Sequence, residues 1–389
     1  MKKVDNIIDS VVVLGILLMF YKFLVIFLEI ENIWKLSILI AIAFLVILLI
    51  SKFENIKSKI IMSFKKNRSL TYFIGLLLIL SLPFSLQHSS YWILIMTLCW
   101  LWIIIAQGIN IQFGSAGIIN LGAAFFWGIG GYTTAILTSR YNFNPLIGIF
   151  LGGIIAILAG LPLIIPILKA RSHYLALVTL SVVVAFGHFA NNVKWLGGSQ
   201  GIMNIPSISI GRYSFLNSIK IFNFELPLIS NYFYFATLLG ILVLLVCHRM
   251  SNSWVGLTLN SINENKGDII CSNCMGINRA KWVVISFSIG NFFIGIAGAL
   301  FAHMNCYVAP QDVTFYKSLL FLSAVILGGM DNIKGVTIGA ILLVILPEKF
   351  KVLEEYWIII FMSSIVLMII LRPQGLLAAK IRYYGIKRQ

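Results

Sequence analysis

Long apolar runs separated by short polar stretches recur along this chain as far as residue 371. A helix of about 20 apolar residues can cross the hydrocarbon core of a bilayer. The runs that approach this length are 11–30, 36–50, 70–86, 91–106, 118–138, 145–168, 174–190, 232–246, 282–302 and 356–371. The pattern therefore predicts an all-α fold, a polytopic transmembrane helical bundle.

A further apolar stretch, 319–346, is interrupted by the glycine-rich residues 328–335. Each half is short for a membrane span, so the stretch is either a re-entrant hairpin or a pair of thin crossings. With it, we expect ten to twelve crossings with broken or re-entrant helices. Asp331, inside the interruption, is the one candidate for an ion-coupling acid, but we expect it to be a turn residue at the water edge.

A second interruption lies in the glycine-rich stretch 108–131, where residues 114–117 read Gly-Ser-Ala-Gly. Non-helical backbone at membrane depth is tolerated only where protein or a water-filled path surrounds it, and the helix N-termini that it exposes favour anions. A loop followed by an ordinary span is the alternative. The polar and glycine residues of the two interruptions are our translocation-path candidates: Gln112, Gly114, Ser115, Gly117, Asn120, Gly122, Gly328 and Gly329.

The composition supports a membrane protein. Hydrophobic residues make up 60% of the chain and charged residues 11%, whereas soluble domains contain about 25% charged residues. Membrane proteins hold basic loops on the cytoplasmic side, so the net charge of +16 indicates orientation rather than a nucleic-acid partner.

Basic residues are dense in 52–68 and again after Arg372. Placing both regions in the cytoplasm puts 191–231 outside and the polar segment 253–278 inside. We therefore divide the chain into an N-terminal transmembrane hairpin with a basic cytoplasmic loop (1–69), a core (70–377) and a basic cytoplasmic tail (378–389). The segment 253–278, hereafter the coupling segment, is predicted to contact a soluble motor protein.

Signatures of catalysis and of metal binding are absent from the sequence. Cys271 and Cys274 have the spacing of half a zinc site, but no second pair follows them. The sequence contains no HExxH, no GxSxG and no P-loop, and its apolar runs contain almost no carboxylates. An intramembrane enzyme or an ion-coupled secondary transporter is therefore disfavoured as a function class, although both remain alternatives.

Five stretches, in order, carry a resemblance to a known family. They are 114–117 with 125–132; 170–180; 197–202 with 205–206; 275–278 with 295–302; and 327–330 with 346–348 and 372–376. From about residue 91 to residue 377 the chain resembles the permeases of branched-chain amino-acid ABC transporters, of the LivM type. The permease of a urea or short-amide importer of the same superfamily is the alternative.

The resemblance implies an importer subunit of the cytoplasmic (inner) membrane rather than an enzyme. The expected partners are a homologous second permease, two cytoplasmic ABC ATPases, an extracytoplasmic substrate-binding protein and membrane lipid, without nucleic acid. No cofactor is expected in this chain, because ATP and Mg²⁺ would bind to the partner ATPases. Residues 70–377 then form the permease core.

The resemblance also assigns roles to residues. Coupling to the ATPase is expected at Glu264, Asp268, Met275, Gly276, Ile277 and Asn278, and docking of the binding protein at Gly197, Gly198, Ser199 and Gln200. The chain departs from the family's acidic run at 263–266, which reads Asn-Glu-Asn-Lys. The spacing that follows is about three residues longer, close to one helical turn of ~3.6 residues.

Overall fold

The computed structural model describes residues 2–30, 66–87, 89–169, 172–211, 213–221, 224–263 and 266–351, with isolated residues and short stretches between 35 and 64 and between 356 and 378. Helices account for most of these residues, and the described strands are two or three residues long. The all-α fold class predicted from the sequence is confirmed.

The helices follow one another along the chain, with a long connection at residues 193–228. They are α1 (Lys2–Glu29), α2 (Arg68–Ser85), α3 (Ser90–Ile109), a π-helix (Asn110–Ser115), α4 (Ala123–Tyr141), α5 (Pro145–Lys169), α6 (Ser172–Asn192), α7 (Ile229–Ser251), α8 (Trp254–Ser261), α9 (Ile269–Cys274), α10 (Arg279–Asn305), α11 (Phe315–Gly328) and α12 (Ile333–Phe350). Short 3₁₀ turns occur at Lys194–Leu196, Gly198–Gln200 and Pro310–Asp312.

Three antiparallel ribbons lie in the connections. Strand β1 (Ile202–Met203) pairs with β6 (Tyr307–Val308), β2 (Ser209–Ile210) with β3 (Tyr213–Ser214), and β4 (Ile219–Ile221) with β5 (Phe224–Leu226).

Several helices have the length and hydropathy of membrane spans. Among the described residues six qualify, and the bent pair Ala176–Asn192 and Lys194–Gln200 makes a seventh if it is one span. The predicted runs 36–50 and 356–371 lie largely outside the described residues. The expected total of ten to twelve crossings therefore stays a prediction.

The chain separates into two compact units. One comprises Met1–Leu94, Ser218–Ser230 and Lys351–Glu354. Within it, the phenol of Tyr21 on α1 lies 2.6 Å from the hydroxyl of Ser85 on α2. The other unit comprises Ile95–Asn217, Asn231–Phe350 and Glu355–Gln389, and it contains the interruptions and the coupling segment.

Three glycine-lined helices, α4, α5 and α10, form the centre of the second unit. A Cβ atom on Gly130 would overlap the carbonyl of Gly295, and one on Gly298 would overlap the carbonyl of Trp127. Small residues let helix backbones approach closely in lipid, where dispersion contacts rather than the hydrophobic effect hold helices together. The centre of the unit is therefore closely packed backbone.

Helix α10 extends from one end of the second unit to the other. It has 27 residues, which gives a length of about 40 Å at ~1.5 Å per residue. It begins where the coupling segment ends, and it is followed directly by β6, which pairs with β1 in the 191–231 connection. The coupling segment and this connection therefore lie at opposite ends of α10.

Buried His303, near the end of α10, ties two further elements together. Its Nδ1–H donates to the carbonyl of Pro206 at 2.8 Å, and its Nε2 accepts from the hydroxyl of Thr134 on α4 at 2.8 Å. This pair of partners requires the Nδ1–H tautomer of the neutral ring.

The interrupted stretch 319–346 folds as a hairpin of two helices, α11 and α12. Its backbones meet where Gly328 and Gly335 face each other, so closely that neither position has room for a Cβ atom. Helix α11 has 14 residues and is therefore about 21 Å long, and both the re-entrant hairpin and the pair of short crossings stay predictions.

The contact between α4 and α10 gives a first prediction. We expect Gly130→Ala to destabilise the protein by about 1–3 kcal/mol, because the added methyl overlaps backbone that cannot rotate away. Gly75→Ala is the matched control, since no atom lies within 4 Å of the added Cβ. Thermal unfolding in detergent measures both, and equal midpoints for the two variants would contradict the packing.

Candidate functional site

The π-helix Asn110–Ser115 ends α3, and residues 116–122 are non-helical before α4 begins at Ala123. A Cβ atom on Gly114 would lie 2.6 Å from the backbone nitrogen of Asp331, and Gly117 has a φ of +74°. Glycine is favoured at both positions because it permits close approach and left-handed backbone. The interruption predicted at 114–117 is therefore present, and the helical start expected at residue 118 moves to residue 123.

The coupling segment caps the carbonyl end of this π-helix. The ammonium of Lys266 donates to the carbonyl of Gly114 at 2.7 Å. The side-chain amide of Asn263 donates to the same carbonyl at 3.4 Å and to that of Ser115 at 3.2 Å. A helix leaves its last carbonyls without helical partners, and a cation there also interacts favourably with the helix dipole.

Asp331 reaches the same place from the turn between α11 and α12. Its backbone N–H donates to the side chain of Asn110 at 2.8 Å, and its carboxylate accepts from the hydroxyl of Ser115 at 2.8 Å. The second carboxylate oxygen lies 2.9 Å from the ammonium of Lys266. We call Asn110, Ser115, Asn263, Lys266 and Asp331 the junction.

Asp331 is a turn residue, as the sequence predicts, with a φ of +61°. Its side chain is only 8% exposed, because Lys266 and Ser115 accompany the carboxylate. The sequence did not predict these contacts, since the lysine and the serine are distant from Asp331 along the chain. The position at the water edge stays a prediction.

The C-terminal region covers the other interruption. The carbonyls of Leu327 and Gly328 accept from the backbone N–H groups of Leu376 at 2.9 Å and Leu377 at 3.1 Å. Gly329 has a φ of +110°. The path candidates Gly328 and Gly329 are therefore covered by residues 376–377 in this conformation.

A separate buried network contains the path candidates Gln112, Asn120 and Gly122. The N–H of Gly122 donates to the Asn120 oxygen at 2.7 Å, and the Asn120 amide donates to the Gln112 oxygen at 2.8 Å. The Gln112 amide donates to the Phe287 carbonyl at 3.0 Å and to the Asn291 oxygen at 2.9 Å. Backbone groups of fixed polarity at both ends set the orientation of each amide.

The path candidates of the first interruption therefore occupy two places. Gly114, Ser115 and Gly117 lie at the junction or beside it, whereas Gln112 and Asn120 are fully enclosed between α10 and the residues that precede α4. A small cleft beside the junction is lined by Asn110, Ser115 and Asp331 together with apolar side chains of α7 and α8.

The coupling segment contains α8 and α9. Asp268 caps α9, accepting from the N–H groups of Ile270 at 2.8 Å and Cys271 at 3.3 Å, and these bonds lower the pKa of its carboxyl group. Asn278 caps α10 by accepting from the N–H of Lys281 at 3.2 Å. Two of the six predicted coupling residues are thus helix caps.

The outer part of the coupling segment is apolar and exposed. Met275 is 82% exposed and Ile270 is 75% exposed. Gly276 has a φ of +82°, while Ile277 is half-buried against the core. Glu264 lies outside the described residues. Cys271 and Cys274 are both on α9, and the described residues contain no group of metal ligands.

Of the predicted docking residues, Gly198, Ser199 and Gln200 form a 3₁₀ turn after α6, and Gly197 links this turn to the preceding one, Lys194–Leu196. The side chains of Ser199 and Gln200 are exposed. The carbonyl of Ser199 accepts from the side chain of Gln311 at 3.3 Å. An open cleft nearby lies between α6 and residues 310–315, with Val183 and Val313 on its floor.

Three junction residues, Asn110, Asn263 and Lys266, were not predicted from the sequence. Charge pairing would have suggested Lys266, because Asp331 is an acid among apolar stretches and Lys266 is a cation in the polar coupling segment. No local pattern marks the two asparagines.

Comparison with known proteins identifies the family of the chain. The family model described as the branched-chain amino acid transport system / permease component matches residues 91–371. The chain is 32% identical over 314 residues to the high-affinity branched-chain amino acid transport permease LivM of Salmonella typhimurium, covering 76% of this chain and 71% of LivM.

Two further relatives agree. LivM of Escherichia coli is 32% identical over 324 residues, covering 78% of this chain and 74% of LivM. LivH of Escherichia coli, named as a permease of the same kind of transport system, is 23% identical over 289 residues, covering 70% of this chain and 90% of LivH. No match was found among the solved structures. The resemblance identified from the sequence is confirmed.

The buried amide network gives a second prediction. We expect Gln112→Leu to destabilise the protein by about 1–3 kcal/mol for each group left unpaired, because Asn120, Asn291 and the Phe287 carbonyl each lose a partner. Gln112→Leu combined with Asn291→Leu should cost less than the sum of the single variants. Thermal unfolding in detergent measures the difference, and strict additivity would contradict the network.

Proposed function

Because the chain belongs to the family of permease components of branched-chain amino acid transport systems, we propose that it is the membrane subunit of an ATP-driven importer for these amino acids. It receives substrate from an external binding protein and releases it into the cytoplasm. Two ABC ATPases supply the energy. The chain lies in the cytoplasmic membrane, with the coupling segment and C-terminus inside.

The observation that carries this proposal is the position of the coupling segment. Its surface side chains, Ile270 and Met275, are exposed and apolar, whereas Asn263 and Lys266 in the same segment bond to the interruption between α3 and α4. Exposed apolar side chains rimmed by polar residues are typical of a protein-binding surface. One segment thus offers an ATPase-docking surface and a connection to the membrane core.

The transport cycle proposed here follows from those contacts. ATP binding closes the paired ATPases, and the coupling segment moves as a lever that turns the permease from inward-facing to outward-facing. The binding protein docks at the end of α10 that lies away from the coupling segment, on the 3₁₀ turn that contains Ser199 and Gln200. Substrate then crosses along apolar walls, and its charged groups are met by backbone dipoles at the helix interruptions.

A second permease completes the membrane part. LivM and LivH carry the same type of name, and the chain is similar to both. A homologous partner subunit of the LivH kind is therefore proposed to pair with this chain. Most of the substrate selectivity resides in the binding protein.

Reconstitution tests the function directly. We expect liposomes that contain the chain, a LivH-like permease and both ATPases to take up labelled leucine when ATP and a leucine-binding protein are supplied. Omitting the ATPases should abolish uptake. Uptake by the chain alone, driven by a proton or sodium gradient, would contradict the proposal, and uptake of urea instead of leucine would indicate the alternative substrate class.

The turn at Gly276 provides a test of coupling. Proline fixes φ near about −65°, so we expect Gly276→Pro to insert normally but to lose the stimulation of ATPase activity by substrate-loaded binding protein. Gly276→Asn is the matched control, because asparagine tolerates a positive φ and no atom lies within 4 Å of the added Cβ. Full stimulation in the proline variant would remove residues 253–278 from the coupling role.

A further inference from the structure

We propose that the ion pair between Lys266 and Asp331 is the contact through which the coupling segment moves helix α11, and thereby connects ATP hydrolysis to the opposite end of the permease. This inference rests on the proposed function. It assigns a positioning role to two residues that the docking surface does not include.

The junction joins the coupling segment to the C-terminal end of α11. The Lys266 ammonium bonds at once to the Gly114 carbonyl at 2.7 Å and to the Asp331 carboxylate at 2.9 Å. One side chain of the coupling segment therefore holds both the end of the π-helix and the turn that follows α11. A displacement of the segment must move both interruptions or break these bonds.

The 3₁₀ turn Gly198–Gln200, where the binding protein is proposed to dock, lies near the N-terminal end of α11. Gln311, four residues before α11, donates to the carbonyl of Ser199 at 3.3 Å. Thr314 caps the start of α11 by accepting from the N–H of Lys317 at 3.3 Å. Helix α11 therefore has one end beside the proposed binding-protein site and the other end beside Asp331.

The helix between these ends is suited to transmit a displacement. It is 14 residues long without an internal proline, and it packs against α12 through the backbone contact of Gly328 with Gly335. Rigid elements with discrete contacts at their ends carry coupling between sites. A shift of Asp331 would thus displace Gln311 without bending the helix.

The burial of Asp331 makes the pair sensitive to single changes. The carboxylate is 8% exposed, whereas the Lys266 side chain is 32% exposed. Removing one partner of a buried pair leaves an uncompensated charge, which costs more than removing both. Lys266→Met therefore removes the cation beside the Asp331 carboxylate, and the turn is then expected to rearrange.

The experiment is a double-mutant cycle in the reconstituted importer, measured as leucine transported per ATP hydrolysed. We expect Lys266→Met and Asp331→Asn each to lower this ratio about fivefold or more, the lower range of measured coupling between sites. The combined variant should lose no more than either single one, because both remove the same contact. Lys334→Met, which removes an exposed charge beside the same turn, is the matched control and should keep the wild-type ratio.

A role confined to stability gives a different result. In that case the yield of assembled complex and its thermal midpoint fall. The ratio of leucine transported per ATP hydrolysed, measured on the complex that does assemble, then stays at the wild-type value, and the inference is overturned. Should either single variant fail to assemble, Lys266→Arg decides, because arginine keeps a cation for both the Gly114 carbonyl and the Asp331 carboxylate. Recovery of assembly and of part of the ratio supports the ion pair, and no recovery overturns it.

Failure of the proposed function is recognised separately. If the wild-type complex shows no ATP-driven uptake, both the proposed function and this inference are overturned. If the wild-type complex transports normally and the single variants keep its ratio of leucine transported per ATP hydrolysed, only this inference is overturned.

Discussion

Backbone polar groups inside an apolar bundle must find partners within the protein, because hydrocarbon offers none. Among the residues that the structure describes, the backbone leaves its helices after Ser115 and after Gly328, and each interruption leaves carbonyl groups without helical partners. The C-terminal residues 376–377 satisfy the second interruption. The first is capped by Asn263 and Lys266 of the coupling segment. A requirement of membrane structure is thus met by the segment proposed to contact the ATPase.

This arrangement explains why the glycines of the first interruption matter. Gly114 allows the backbone of Asp331 to approach, and Gly117 adopts a left-handed conformation against the side chain of Asn263. The two positions bring the α11–α12 turn and the coupling segment to one point. Close packing at these glycines therefore places the residues of the proposed connection, while α4, α5 and α10 form the closely packed centre of the unit.

The sequence was sufficient for the fold class and for both interruptions, because hydropathy and glycine clusters are local signals. It was also sufficient to single out residues 253–278, since a polar segment between apolar runs is visible without tertiary structure. It was not sufficient for the junction. Asn263 and the Gly114 carbonyl are separated by 149 residues, and Ser115 and Asp331 by 216. Gln112 and Asn120 illustrate the same limit: their polarity in an apolar region was visible in the sequence, whereas the hydrogen bond between them was not.

Amide hydrogen exchange of the purified chain in lipid nanodiscs tests the central claim most directly, because it follows the interruptions themselves and requires no partner subunit. Comparison of the wild-type protein with an Asn263→Ala, Lys266→Met variant should show faster exchange in peptides covering 114–122 and 328–336, and unchanged exchange in the middle of α10. Unchanged protection at both interruptions in the variant would contradict the claim that the coupling segment holds them.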